Sequence, residues 1–288
     1  MTFNTTTTIR LLTITSLVGL LFAVGLRLNW AQVVNSLRGS RLGWILPVNF
    51  LFVPALTVGV ARGLGIPTDI AVGMVLLAAA PFAPVVPIFT KMAGGDVALA
   101  GALTALFPFC SAFLTPLICE LSLRPLLGTG LLKFNFLAIL IVLVSTITLP
   151  LAAGVVFGHY LPAFARRLLR PLEIISQAAG AVSLAFVTVV EFPAIRAMDW
   201  QPLLAMVLVS ELSFLMGYVL SGPTVEARRV MALGTSNRNI ALAVLVAIQG
   251  FAGTPIVAAV VTNGLLLIFL GLLHVGYWRF LSPARDRD

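Results

Sequence analysis

The 288-residue chain is 60% hydrophobic and only 10% charged, with a mean hydropathy of +1.09. A soluble domain carries about a quarter of its residues as Asp, Glu, Lys and Arg, so this chain cannot be covered by polar surface and must face lipid. Its net charge of +8 does not mark a nucleic-acid binder, because the basic residues are scattered between apolar runs rather than gathered into a patch. A bilayer core about 30 Å thick takes about 20 helical residues to cross. The chain therefore holds about nine spans and no sizeable soluble part, and 1–288 reads as one all-α transmembrane domain.

Apolar windows bounded by charge, Gly or Pro place the spans at about 9–28, 43–62, 70–94, 98–120, 133–158, 172–192, 201–221, 226–250 and 254–278. The first window runs through Leu26 to Arg27 without a small-residue cleavage site, and reads as a retained span rather than a signal peptide. The third contains Pro81, Pro84 and Pro87. Each proline removes a backbone donor and clashes with the preceding turn, so the helix is expected to break near Pro84. The fourth carries Cys110 and Cys119, which point in different directions on one helix and cannot be bridged. The seventh carries Glu211 near its centre. The eighth has Gly234-Thr-Ser-Asn-Arg-Asn239 between two apolar halves. Non-helical backbone at membrane depth survives only where protein buries it or water lines it, so a second break is expected at Asn237.

The broken third span is followed by Gly94-Gly95 and a span; the broken eighth is followed by Gly250, Gly253 and a span. An odd number of spans separates the two units, so they should be inverted in the membrane, the arrangement of an inverted-repeat transporter. The first repeat would cover about 9–120 and the second about 133–278. Loop charges set the orientation. Arg27, Arg38, Arg41, Lys91, Arg166, Arg167, Arg170, Arg228, Arg229, Arg279, Arg285 and Arg287 fall on one side, against Arg10, Arg62, Arg124, Lys133 and Arg196 on the other. The richer side is cytoplasmic, which predicts a multi-pass protein of the cell inner (plasma) membrane with its N-terminus outside and its C-terminus inside.

Four segments carry a resemblance: Gly73-Met-Val-Leu-Leu-Ala-Ala-Ala-Pro81, Ala93-Gly-Gly-Asp96, Leu114-Thr-Pro116-Leu and Ser236-Asn-Arg238-Asn239-Ile-Ala-Leu-Ala-Val-Leu-Val-Ala247. In order and spacing they are similar to the bile acid:sodium symporter family. The resemblance implies a panel domain of spans one, five and six. It also implies a core domain of the other spans, with substrate bound between the two beside crossing broken helices. Substrate contacts are expected at Arg238, Asn239, Asn237, Thr104, Pro84 and Pro87; of these Asn239 falls on the family motif, whereas Arg238 stands where the family has a Gln. Sodium-coupled members carry a Ser-Asn pair in the first break and an acid in the second; here Val86, Pro87 and Gly234 stand at those places, and Ala100 at a hydroxyl position. Sodium takes several oxygen ligands, usually a carboxylate among them, so sodium coupling of the family's type is not expected.

Arg238 lies in mid-membrane, where a cation costs about 2.5–3.5 kcal/mol on the mildest scale. It either caps free carbonyls at the break, pairs with a carboxylate, or binds an anionic substrate with help from half-helix N-termini. Glu211 either pairs with Arg238 or acts as the candidate proton carrier. Asn49, Gln177, Gln249 and Asn263 read as interhelical hydrogen-bonding residues. His159 and His274 lack ligand-spaced neighbours, so no metal site is expected, nor any cofactor. No nucleophile–base pair or phosphate-cradling loop appears, so the chain is not expected to be an enzyme. The expected function is secondary transport of a small organic anion by alternating access. Two other carriers remain compatible with these residues: an arsenite-type efflux carrier using Cys110, and a sodium-coupled bile-acid-like symporter with a rearranged ion site.

Overall fold

The computed structural model describes residues 5–28, 30–38, 41–127, 135–251 and 253–281; Lys133, Arg285 and Arg287 lie outside them. The described residues are helical almost throughout. In chain order the helices are α1 (Thr5–Arg27), α2 (Trp30–Arg38), α3 (Leu42–Gly63), α4 (Thr68–Ala78), α5 (Val86–Met92), α6 (Val97–Leu127), α7 (Phe136–Tyr160), α8 (Pro162–Arg196), α9 (Trp200–Leu220), α10 (Val225–Ser236), α11 (Ile240–Phe251) and α12 (Ile256–Leu281). Among the described residues, α1, α3, α6, α7, α8, α9, the α10–α11 pair and α12 are each long and apolar enough to cross a membrane. The span expected at 70–94 is the pair α4 and α5, neither of which can cross alone. The chain is a multi-pass membrane protein.

Both expected breaks are present. Helix α4 ends at Ala78 and α5 begins at Val86, with Pro81 and Pro84 in the non-helical stretch between. Helix α10 ends at Ser236 and α11 begins at Ile240. The turn after each broken pair uses a glycine in the left-handed region, Gly94 (φ 65°) and Gly253 (φ 78°), a backbone that L side chains adopt at a cost of about 1–2 kcal/mol.

Helix α1 packs along α7 and α8. Helix α4 lies against α11 and α12, and α10 against α9 and α5. The interior is the crossing region: Val72, Met74, Val75, Leu76 and Leu77 of α4 are all fully buried. Helix α8 is the opposite case, with Ile174, Ile175, Val182, Val189 and Phe192 exposed where lipid would lie.

Three expected boundaries differ. The fourth span, expected at 98–120, runs on to Leu127. The sixth span, expected at 172–192, is a single 35-residue helix from Pro162 to Arg196. Arg166, Arg167 and Arg170 do not end it, because long basic side chains extend to the interface while their stems stay on the helix, and Pro171 is accommodated inside it. The first span begins at Thr5 rather than near residue 9.

Helix α3 contains a π-turn over Val48–Phe52, directly before Pro54, and α7 has one over Val144–Thr148, directly before Pro150. The wider turn accommodates the proline ring. It also leaves a carbonyl free: Val53 donates to Val48 O, and Pro54, the π-turn partner of Asn49, has no N–H to give.

Candidate functional site

The two breaks cross and pair by backbone. Ala83 N–H donates to Asn237 O at 3.0 Å, and Asn239 N–H donates to Ala80 O at 2.8 Å. These bonds answer the main difficulty of unwinding a helix in lipid, since an unpaired buried peptide group costs several kcal/mol. The last carbonyls of α4 are filled in turn. Arg238 Nη1 donates to Ala78 O at 3.2 Å, Thr115 Oγ1 donates to Ala79 O at 2.7 Å, and Asn239 N takes Ala80 O. Nη1 also donates to the orphaned Asn49 O at 3.2 Å. At the end of α10, Asn237 returns both its backbone N–H (2.9 Å) and its side-chain amide (3.0 Å) to Leu233 O. Asn239 caps α11, accepting Leu242 N–H at 3.1 Å.

Arg238 therefore does what the capping reading expected: it ties the C-terminal end of α4, where helix dipoles leave partial negative charge, to the free carbonyl of α3. The residue is 3% exposed, and its Nη2 has no hydrogen-bond partner among the described residues. It forms no ion pair among the described residues. The expected partnership with Glu211 is not made. Glu211 bonds His274 instead, with Oε2 and Nε2 3.1 Å apart, and the imidazole stacks on Phe214 with centroids 3.8 Å apart. Helical geometry explains this. Helix α9 turns Ser210 and Ser213 towards the crossing, and the next residue round, Glu211, is rotated by about 100° away from that face; its side chain is 42% exposed. His274, expected to stand alone in the last span, is its partner.

A cavity of about 430 Å³ lies between the α1/α8 face and the crossing. One wall is Thr13, Ser16 and Leu17 of α1 with Gln177, Ser183 and Val187 of α8; the other is formed by Pro84, Phe89, Asn237, Arg238, Asn239 and Ile240. Arg238 is the charged residue among those lining it, and Ile240 and Ala241, in the first turn of α11, face it too. Of the residues expected at the substrate site, Arg238, Asn239, Asn237 and Pro84 come together here. Thr104 and Pro87 do not. Thr104 is buried within α6 and donates to its own helix at Ala100 O, 2.8 Å away, and Pro87 lies in the first turn of α5, off the cavity wall. Sequence reasoning missed the α1 side of the pocket and Ser183. Thr13 and Ser183 share a hydrogen bond at 2.8 Å, which reads in sequence as ordinary interhelical contact.

The positions that resemble altered ion ligands are closed by carbon. Val86 and Ala100 are fully buried. A Cβ on Gly234 would collide with the ring of Phe82, which stacks on Phe107 with centroids 4.9 Å apart and planes 6° apart.

The sequence profile of the Sodium Bile acid symporter family matches residues 14–197. The chain belongs to that family. Two curated relatives are each described as "Probable sodium/metabolite cotransporter BASS1, chloroplastic". The one from Arabidopsis thaliana is 26% identical over 248 residues, 85% of this chain and 59% of its own. The one from Oryza sativa subsp. japonica is 27% identical over 233 residues, 78% of this chain and 55% of its own. The chain thus spans rather more than half the length of these curated relatives. The profile match takes in the first break, α7, α8 and α1 from residue 14 onward, while the second break lies beyond it.

Proposed function

We propose that this chain is a secondary transporter that carries a small organic anion by alternating access, with the 430 Å³ cavity as its substrate site. The observation that carries this reading is the cavity's position, at the seam between the α1/α7/α8 group and the group built around the crossing. A rocking motion of one group against the other would expose such a site alternately to the two faces. The breaks and their glycine turns are read as the two halves of an inverted repeat. An anion fits because the charge on this wall is cationic and the first turn of α11 adds the positive end of a helix dipole. The apolar remainder suits a carbon skeleton. Cys110 lies off this cavity, so the thiol on which an arsenite carrier would depend is misplaced. The relatives' description as sodium/metabolite cotransporters agrees with the transport of a metabolite.

The test is uptake by proteoliposomes of a panel of labelled organic anions. Ala181→Trp, on the α8 wall of the cavity, is expected to lower uptake at least about tenfold while leaving Tm close to that of the unaltered protein. Normal uptake with the cavity filled would remove the site assignment.

Coupling in this chain is proposed to be independent of sodium, since Val86, Ala100 and Gly234 offer no oxygen side chain. Replacing sodium by choline on both sides should leave the initial rate unchanged. A steep rise of rate with sodium would show that the ion site has been rebuilt from other oxygens. If a driving proton exists, Glu211 with His274 is the candidate pair, and Glu211→Gln should then flatten the pH dependence of uptake.

A further inference from the structure

The two ends of the large cavity differ. Along the α1/α8 wall Thr13 bonds Ser183, Ser16 lies against Gly180, Gly19 against Ser176, and Arg27 pairs with Glu173 at 2.9 Å. This ladder sets depth, from Thr13 at one end to Arg27 at the other. The Thr13 end is closed: Thr13, Ser183, Val187 and Val244 are at most 6% exposed. Spans α1, α3 and α4–α5 alternate in direction, so α5 ends on the Arg27 side. Arg229 ties the end of α12 to that side, with Nη1 2.7 Å from Ala93 O and its guanidinium 5.7 Å from the Trp278 ring. Here the lining is open: Ile88 of α5 is 49% exposed, Leu272 of α12 46%, and Gln177 of α8 is exposed too. Packing agrees, since α11 lies against α1 whereas α5 lies against α6, α10 and α12.

We propose that the cavity opens on the Arg27 side through a cationic vestibule, in which Arg170, Arg279, Lys91 and Arg166 gather anions before they reach Arg238. This rests on the reading of the cavity as an anion site. Helical phase carries the argument. Arg170 and Arg166 precede Gln177 by 7 and 11 residues, and Arg279 follows Leu272 by 7. At about 100° per residue each lies within about 20° of the cavity-lining side chain on its own helix. Lys91 stands one turn beyond Ile88. All four are exposed, and none is in an ion pair among the described residues. The acid on the same stripe of α8, Glu173, is bonded to Arg27. Towards the closed end, the first charges on α1 and α8 are of opposite sign, Arg10 and Glu191. Seven helical residues are about 10 Å, so at moderate salt these charges act on the rim within about one Debye length. Membrane topology would also place cations on one side, but without regard to the face they occupy.

The experiment measures the field at the rim on the purified full chain in detergent, with no transport substrate. Gln177→Cys in a Cys110→Ala background is the reporter. The probes are sulfonatoethyl methanethiosulfonate, an anion, and trimethylammonioethyl methanethiosulfonate, a cation; their rate ratio is divided by that for a free small thiol. The ratio should favour the anion at low ionic strength. Arg170→Glu/Arg279→Glu should lower it at least about tenfold, and about 1 M salt should remove most of the difference. The neutral pair Arg170→Gln/Arg279→Gln should lower it by a smaller factor in the same direction. Arg167→Glu, about 80° round α8 from the Gln177 face, should change it little. Val244→Cys, at the closed end, should react with neither probe. An equal response to Arg167→Glu would reduce the vestibule to general surface charge and overturn it. So would a Gln177→Cys that reacts only after unfolding, and ready labelling of Val244→Cys would overturn the one-sided opening. Labelling rates require no transport, so their failure is distinct from failure of the anion-transport reading, which shows in uptake.

Discussion

Arg238→Gln is expected to give a folded protein that no longer accumulates an anionic substrate. The guanidinium caps two carbonyls and is proposed to attract the substrate, two duties that can be separated by substitution. It donates to Asn49 O and Ala78 O, and it supplies the charge on the cavity wall. Glutamine keeps an amide donor for the carbonyls and removes the charge. Alanine removes both, leaving two buried carbonyls unsatisfied at about 1–3 kcal/mol each, so Arg238→Ala should lose thermal stability as well as transport. Lysine keeps the charge as a point and loses the planar fork that can hold two carbonyls and still present a donor elsewhere. Arg238→Lys should therefore fold and bind its anion at least about tenfold more weakly, a difference of about 1.4 kcal/mol. Uptake and Tm measured on the three variants separate the duties. Full uptake by Arg238→Gln would reduce the residue to a cap and take the anion preference away from it.

The breaks were legible because lipid makes irregular backbone conspicuous: Pro81, Pro84 and the run from Gly234 to Asn239 have no other use in a span. What the breaks do to each other was not legible. The paired bonds between Ala83 and Asn237 and between Asn239 and Ala80 depend on how two distant segments cross, and backbone groups leave no mark in a sequence. The identity of Arg238's partners is a similar case. Its obvious partner by charge was Glu211, yet its partners are two carbonyls, one of them freed by a π-turn and a proline that themselves gave no warning. Glu211 and His274 are 63 residues apart and meet only because α9 and α12 are neighbours. The α1 wall failed for a different reason. Thr13 and Ser16 are isolated small polar residues in an apolar span, the commonest kind of interhelical contact, and only the cavity distinguishes them from the rest.

Gly234→Ala is expected to disable the crossing. The family resemblance makes Gly234 look like a lost acidic ligand, which suggests that putting the carboxylate back would restore an ion site. The geometry says otherwise, because the space beside Gly234 is occupied by the Phe82 ring. That ring cannot easily retreat. It stacks on Phe107, itself fully buried, and its backbone sits at φ 62°, one residue before the Ala83 amide that bonds to Asn237. A side chain outside glycine rarely adopts such a φ, and holding it there costs about 1–3 kcal/mol, so the surrounding bonds fix Phe82 in place. Forcing even a methyl group into a close-packed interior costs about 1–3 kcal/mol. Here the strain would be transmitted directly to the two bonds that join the breaks. Gly234→Glu would place a carboxylate side chain where the Phe82 ring already stands, and should not accumulate as folded protein or acquire sodium-dependent stabilisation. The decisive comparison is a double-mutant cycle. If Phe82 is the obstacle, Gly234→Ala combined with Phe82→Ala should be more stable than the sum of the single losses predicts, since the second truncation makes room for the methyl. Strict additivity of the two losses in Tm or denaturant midpoint would mean that Gly234 is needed for some reason other than the ring that covers it.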